Sequence, residues 1–101
     1  MQHPMQIIDV KTKHKIIAVI SALMPDVKIY LFGSRARGTN SPTADIDIAL
    51  DGGKRLPAED VDEIKSMLRE SNIMYTIDVV DLHWMTDIMR NEILREKVVW
   101  K

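Results

Sequence analysis

The chain has 101 residues, of which 46% are hydrophobic and 29% are charged, which is typical of one globular domain spanning residues 1–101. Lys and Arg total 14 against 15 Asp and Glu, so the net charge of −1 provides no overall attraction for nucleic acid. The absence of cysteine excludes disulfides and thiolate metal sites, and it fits a reducing, cytoplasmic environment. The apolar runs are too short to span a membrane, so no membrane partner is expected.

The N-terminal part of the chain predicts a lead-in followed by one helix. Residues 1–8 carry little pattern, and residues 1–6 lack the basic and apolar regions of a signal peptide. Asp9 or Thr12 can cap a helix that ends before Pro25. The buried face of this helix consists of apolar residues at helical spacing: Ile16, Ile17, Ile20, Leu23 and Met24.

A first strand and a glycine-containing turn come next. Residues 27–32 are rich in β-branched and aromatic side chains and end at Gly33, so they predict a strand. Residues 33–43 contain two glycines and two arginines. They predict a turn with one short helical turn at 34–37, followed by a loop.

Two further predicted strands carry carboxylates. Residues 45–50 alternate in polarity, so Asp45 and Asp47 lie on one face of the second strand and apolar side chains line the other. Residues 75–80 form the third predicted strand, in which Asp78 interrupts an apolar pattern. Because an isolated carboxylate in an apolar strand is costly, we expect Asp78 to be paired or bound to a metal ion.

Two helices and a short tail complete the predicted elements. Pro57 suits the start of a helix that ends near Arg69. Asp81 is predicted to cap the last helix. Trp84 and the apolar tail at 98–100 either finish the core or form a partner surface, and we favour a shared role.

The order of these elements predicts an α+β fold. Three strands make a small mixed sheet, and the helices are expected to cover mainly one of its faces. The other face then carries Asp45, Asp47 and Asp78, and it is expected to be open and acidic.

Carboxylates in this arrangement suit a divalent metal ion. Asp45 and Asp47 are two residues apart on one strand, so their Cα atoms are about 6.5–7 Å apart and their charges repel. Mg²⁺ prefers oxygen ligands, relieves this repulsion and keeps open positions for water or phosphate. Asp78, on a neighbouring strand, can complete a two-ion site or take a proton from an attacking hydroxyl. The alternative for the pair is the solvated face of a half-exposed strand, although aspartate is depleted in strands.

The turn at Gly33-Ser34 suits a phosphate group. Glycine lets the backbone approach an anion closely, and the Ser34 hydroxyl joins the amides at the start of the short helical turn as a donor. Arg35 and Arg37 would help neutralise a triphosphate, because the guanidinium fork matches phosphate oxygens. Next to metal carboxylates, the turn indicates a nucleoside triphosphate bridged by Mg²⁺ and attacked at its α-phosphorus with release of pyrophosphate. By itself, the turn would be an ordinary strand end.

Three sequence runs together resemble a known superfamily. The runs are GSRARG at 33–38, DIDIAL at 45–50 and IDVVD at 77–81. They resemble the polymerase-β-type nucleotidyltransferases, in particular the minimal nucleotidyltransferase (MNT) domains that are often encoded beside a HEPN partner in toxin–antitoxin pairs. The resemblance extends from about residue 27 to the end of the last helix, and it implies the polymerase-β-like nucleotidyltransferase fold.

The resemblance also implies two groups of site residues. The nucleotide-binding group holds the phosphates and consists of Gly33, Ser34 and Arg37. The metal-binding and catalytic group holds Mg²⁺ and consists of Asp45, Asp47 and Asp78. Asp78 is further implied to activate the acceptor hydroxyl. Arg35 lies where the superfamily varies and is given less weight.

The function implied by the resemblance is an antitoxin that transfers AMP from ATP to a hydroxyl of a HEPN-type toxin. The chain has no room for an acceptor-holding domain, so a protein partner is expected to supply the acceptor. Two alternatives stay open: an antitoxin that acts by binding alone, and a nucleotidyltransferase for a small molecule. The residues leave open the preferred nucleotide, the acceptor residue and the oligomeric state, whether with copies of itself or with a partner.

Overall fold

Helices and strands alternate along the chain around one mixed sheet. The structure is a computed structural model that describes residues 8–101, so the lead-in predicted for residues 1–8 lies, apart from Ile8, outside the described residues. The elements in chain order are α1 Val10–Leu23, β1 Lys28–Phe32, α2 Ser34–Arg37, β2 Ile46–Asp51, α3 Ala58–Arg69, β3 Ile77–Asp81, a 3₁₀ turn Leu82–Trp84, α4 Asp87–Glu96 and β4 Val98–Val99.

The sheet has the strand order β3-β2-β1-β4. β2 runs antiparallel to β1 and parallel to β3, and β4 pairs antiparallel with β1. The α+β class and the mixed sheet are therefore confirmed, but the predicted count of three strands is wrong by one. The fourth strand is the two-residue segment Val98–Val99, which is too short to show the alternation that identifies a strand in sequence.

The main hydrophobic core lies between the sheet and the two helices α1 and α3. Inward-facing side chains of β1 and β2 meet the apolar stripes of these helices, and most of them are fully buried. The fully buried members include Ile16, Ile20, Ile29, Ile46, Ile48, Leu50, Ile64 and Val79. Burying each such side chain contributes about 1.5–3 kcal/mol relative to leaving it exposed. This core holds β2 between its two neighbours in the sheet, β1 and β3.

The opposite face of the sheet is partly covered by α4. A second cluster of Tyr30, Ala49, Leu82 and Ile93 is buried there. The expected open face is therefore open only at the end that carries the aspartates, while two of the three long helices lie on the other face as predicted. Among the ambiguous residues of the sequence, Trp100 packs against the main core, and Trp84 stays more than half exposed.

Side chains cap the starts of α1 and α4, whereas α3 begins after Pro57 without a side-chain cap. Asp9 caps α1 by accepting hydrogen bonds from the Thr12 amide and hydroxyl. The prediction that Asp81 caps the last helix is wrong. Asp81 is buried, accepts from the Leu56 and His83 amides, and caps the 3₁₀ turn instead. Thr86 caps α4 at its actual start, five residues further on.

Candidate active site

Two of the predicted aspartates face each other across neighbouring strands. Because β2 and β3 are parallel and in register, Asp47 lies directly beside Asp78. Residues paired in this way point to the same face of the sheet and are separated by about 4.8 Å, the spacing between strands. Asp45 precedes β2 by one residue and is exposed, as is Asp78, whereas Asp47 is half-buried.

The electrostatics of Asp47 reflect this crowding. The pKa of its carboxyl group is raised, first because the group is partly buried and then because Asp78 and Asp45 add negative charge nearby. Glu96 adds to the effect and Arg37 opposes it. The sheet face therefore carries a surplus of negative charge that is costly without a cation.

The donor set fits Mg²⁺ in its chemistry, since all three predicted ligands offer carboxylate oxygens. The side chains do not form a closed cage: between residues 8 and 101 no three His, Cys, Asp or Glu side chains are grouped so that they could hold a metal ion. The backbone brings Asp47 and Asp78 together, and Asp45 lies two residues away from Asp47 on an exposed segment. Their roles as metal ligands stay predictions.

Gly33 joins the predicted phosphate turn to the carboxylates. Its backbone has φ 77° and ψ −158°, a conformation that is essentially restricted to glycine. A Cβ at this position would lie 3.0 Å from Cγ of Asp47 and closer still to Oδ2, so a side chain cannot fit. The two halves of the site that the sequence predicts, the turn and the acidic strand, are thus in direct contact.

The short helix α2 follows Gly33 and carries the other predicted phosphate ligands. Ser34 begins it, and Gly38 ends it with φ 75° in the left-handed region. Arg37 is exposed at its end and points toward the site, where its Nη1 donates to Glu96 Oε2 at 2.9 Å. The sequence thus correctly places a short helical turn at 34–37.

Arg35 has a structural position, which sets it apart from Arg37. It is buried, and its guanidinium donates to the carbonyl oxygens of Ala44 and Pro42. The guanidinium also stacks on the ring of Tyr75 at 4.8 Å from the centroid. Arg35 therefore holds the loop that precedes Asp45, and the expectation that it helps neutralise a triphosphate is not supported by its position.

Glu96 is a site residue that the sequence interpretation missed. This last residue of α4 accepts a hydrogen bond from the Gly33 amide at 2.9 Å and pairs with Arg37. Burial would raise the pKa of its carboxyl group, but the hydrogen bonds from Arg37 and Gly33 outweigh burial and lower the pKa. Glu96 is 63 residues from Gly33 in the chain, and no spacing rule relates the two positions.

Comparisons with known proteins match nearly the whole length of the chain. The family model described as "Polymerase beta, Nucleotidyltransferase" matches residues 6–101. The chain is similar to the "Probable protein adenylyltransferase MntA" of Haemophilus influenzae, with 28% identity over 94 residues that cover 91% of this chain and 82% of that protein.

Two solved structures share the fold. The crystal structure of a toxin–antitoxin with AMP-PNP matches with a TM-score of 0.74 and 27% identity, over 88% of this chain and 72% of that chain. The tri-AMPylated Shewanella oneidensis HEPN toxin in complex with MNT antitoxin matches with a TM-score of 0.70 and 24% identity, over 90% and 70% of the two chains.

The mixed sheet sets paired aspartates beside a glycine turn, which is the arrangement that the sequence predicts for a nucleotidyltransferase. With nearly its whole length matched, the chain belongs to the polymerase beta nucleotidyltransferase family. This confirms the predicted fold and the predicted enzyme class. In the described part of the chain, 8–101, no helix has the length and hydrophobicity needed to cross a membrane.

Proposed function

We propose that this protein transfers AMP from ATP to a hydroxyl of a protein partner, a HEPN-type toxin, and thereby acts as its antitoxin. The observation that carries the proposal is the direct juxtaposition of Asp47 with both Asp78 and Gly33. A similar protein bears the name of a protein adenylyltransferase, and a similar structure is a toxin–antitoxin with AMP-PNP. We further propose that residues 1–101 act as one domain in the cytoplasm.

The turn at Gly33-Ser34 and the guanidinium of Arg37 would hold the triphosphate. This turn contacts Asp47, which lies beside Asp78, so a triphosphate held here would have the carboxylates next to it. Asp45, Asp47 and Asp78 would hold Mg²⁺, which supplies charge neutralisation for the phosphates when bound. The surplus negative charge around Asp47 supports this assignment.

The reaction requires one new bond and one broken bond. The acceptor hydroxyl oxygen bonds to the α-phosphorus of ATP, the bond from that phosphorus to the β-phosphate oxygen breaks, and pyrophosphate leaves. Asp78 accepts the hydroxyl proton, which suits its exposed position at the open end of the face. Positioning and charge neutralisation supply most of the rate enhancement in such reactions.

An incubation of the native protein with ATP, Mg²⁺ and the candidate toxin tests the proposal. We expect the mass of the toxin to increase by that of one or more AMP groups. No increase is expected when Asp47→Asn replaces the native protein. Asp26→Asn is the matched control, because Asp26 is an exposed turn residue at the opposite end of the sheet. Failure of the native protein to modify a toxin that it demonstrably binds would refute the enzymatic proposal and favour an antitoxin that acts by binding alone.

A further inference from the structure

The side chain of Glu96 lies against two of the groups to which the proposed function assigns the triphosphate, Gly33 and Arg37. Glu96 ends α4 and is followed by β4, which pairs with β1 and so holds the residue near Gly33. Its side chain is 21% exposed, against 51% for that of Arg37. The backbones of α4 and β4 therefore place this partly buried carboxylate beside the turn at Gly33.

The two partners of Glu96 are donors that the proposed function assigns to phosphate. Oε1 accepts from the Gly33 amide and Oε2 accepts from Nη1 of Arg37, both at 2.9 Å. Two anionic oxygens bridging an amide and a guanidinium form the same pattern that two oxygens of a phosphate would form. The Gly33 amide has a single N–H, so the carboxylate and a triphosphate compete for it, and they compete for the N–H that Nη1 of Arg37 directs at Glu96.

The position of Glu96 has an electrostatic cost. It adds a negative charge beside Asp47, which already has two carboxylates as neighbours. The hydrogen bonds from Gly33 and Arg37 offset this cost. Once an anion with more charge and more acceptor oxygens takes over those donors, the carboxylate loses its compensation and is repelled from the site.

We propose that Glu96 is an internal stand-in for phosphate, which occupies the donors of Gly33 and Arg37 until a triphosphate displaces it. This inference rests on the proposed function, because it assumes that those donors bind the triphosphate. Displacement releases the C-terminal end of α4 from the turn, since within residues 8–101 the Glu96 side chain bonds only to these two partners. Glu96 thereby weakens nucleotide binding and couples it to the position of α4.

Binding of tripolyphosphate, measured by titration calorimetry without metal or toxin, isolates this effect from the transfer reaction. Glu96→Gln removes the charge but keeps an oxygen that can accept from Gly33. We expect it to bind tripolyphosphate about tenfold more tightly than the native protein, as expected for losing one charge-assisted hydrogen bond. Glu92→Gln is the matched control, because Glu92 is an exposed carboxylate on the same helix that pairs with Arg95. The affinity of this variant for tripolyphosphate is expected to equal that of the native protein.

Each outcome of the titration decides the inference. Equal affinity of the native protein and Glu96→Gln overturns it and leaves the phosphate site intact. Weaker binding by Glu96→Gln also overturns it, since Glu96 would then organise the turn. If no variant binds tripolyphosphate, the phosphate site of the proposed function fails and the inference falls with it. If Glu96→Gln does not fold, Glu96→Asp replaces it, because aspartate is shorter by one methylene and reaches the two donors less well. We expect a smaller gain in affinity for tripolyphosphate from this variant. The absence of any gain would contradict the proposal.

Discussion

At the scale of single residues, the site depends on the contact between Gly33 and Asp47. The glycine has a backbone conformation that other residues avoid, and the space where its side chain would stand is filled by the carboxylate. Conformation and packing thus require glycine for independent reasons. Whatever holds the turn in place also holds the central carboxylate of the acidic face.

Substitution of Gly33 by alanine should damage both folding and catalysis. We expect Gly33→Ala to lower the free energy of unfolding by about 1–3 kcal/mol through backbone strain. Displacement of Asp47 should lower the transfer rate about 100-fold, as an error of 1 Å in position can do. Denaturant unfolding and a transfer assay measure the two effects.

Gly53→Ala is the control for strain alone. Gly53 also has a positive φ of 80°, but a Cβ there would meet no atom within 4 Å. We expect some loss of stability with a normal transfer rate. A normal rate in Gly33→Ala as well would contradict the role given to the contact with Asp47.

Asp47 should also make the metal-free fold less stable at neutral pH. Its raised pKa means that the folded state binds the Asp47 proton more tightly than the unfolded state does. Protonation of Asp47 therefore stabilises the fold fully below the ordinary pKa of aspartate, and this contribution is lost as pH rises through the raised pKa. We therefore expect Asp47→Asn to unfold at a higher temperature than the native protein at pH 7. The variant should be inactive in transfer.

The pH dependence distinguishes this cause from better packing. The gap between Asp47→Asn and the native protein should close as pH falls below the ordinary pKa of aspartate, because the native carboxyl group is then neutral too. Thermal unfolding at a series of pH values, without metal ions, measures it. A gap that stays constant down to low pH would show that charge is not the reason.

Some site residues are visible in the sequence and others are not. Asp45 and Asp47 stand out because alternation along a strand depends only on neighbouring residues, and Asp78 because it interrupts an apolar run. Glu96 gives no such signal. Its contacts depend on how the end of α4 packs beside β1, which is a property of the tertiary fold.

At the scale of elements, the loop between α2 and β2 determines where Asp45 lies. Arg35 ties this loop to α2 through Ala44 and Pro42, and Tyr75 stacks on the guanidinium from the segment before β3. One buried side chain thus connects the phosphate turn, the loop before Asp45 and the strand of Asp78. Its role was invisible in the sequence, where the turn predicted phosphate contacts for both arginines and only the family resemblance gave Arg35 less weight.

Replacing Arg35 by lysine should loosen this loop without removing a phosphate ligand. Lysine keeps the charge but lacks the fork that reaches both carbonyl oxygens, so we expect a loss of about 1–3 kcal/mol in unfolding free energy. Hydrogen exchange should increase in residues 38–45, while affinity for tripolyphosphate stays unchanged. Arg95→Lys, at an exposed helix position, serves as control. A large loss of tripolyphosphate affinity in Arg35→Lys would instead identify Arg35 as a phosphate ligand.

Element boundaries near the C-terminus show where local patterns fail. Asp81 has the residue type of a cap, yet the strand continues to it and a 3₁₀ turn intervenes before α4. Val98–Val99 becomes a strand only because β1 has a free edge at that position. Both outcomes depend on partners distant in sequence, so residue patterns alone do not predict them.

At the scale of the whole molecule, the proposed function assigns the nucleotide half of a two-substrate site to residues 33–78 and the acceptor half to the partner. Asp78 is exposed at the open end of the face, and the turn that would hold the nucleotide is backed by α4. Under the proposed function, neutralisation of the toxin can therefore arise from the transfer reaction at this face or from binding alone. These two mechanisms differ in whether the carboxylates are needed.

The double variant Asp45→Asn with Asp47→Asn distinguishes neutralisation by AMP transfer from neutralisation by binding alone. It keeps the shape of both side chains while removing the charges that would hold Mg²⁺, a loss of several kcal/mol of transition-state stabilisation, or about a hundredfold or more in rate. We expect it to co-purify with the toxin but to fail to restore growth of cells that express the toxin, whereas Asp26→Asn with Asp62→Asn restores growth. Restored growth with the first double variant, despite no AMP on the toxin by mass, would show that binding alone neutralises the toxin.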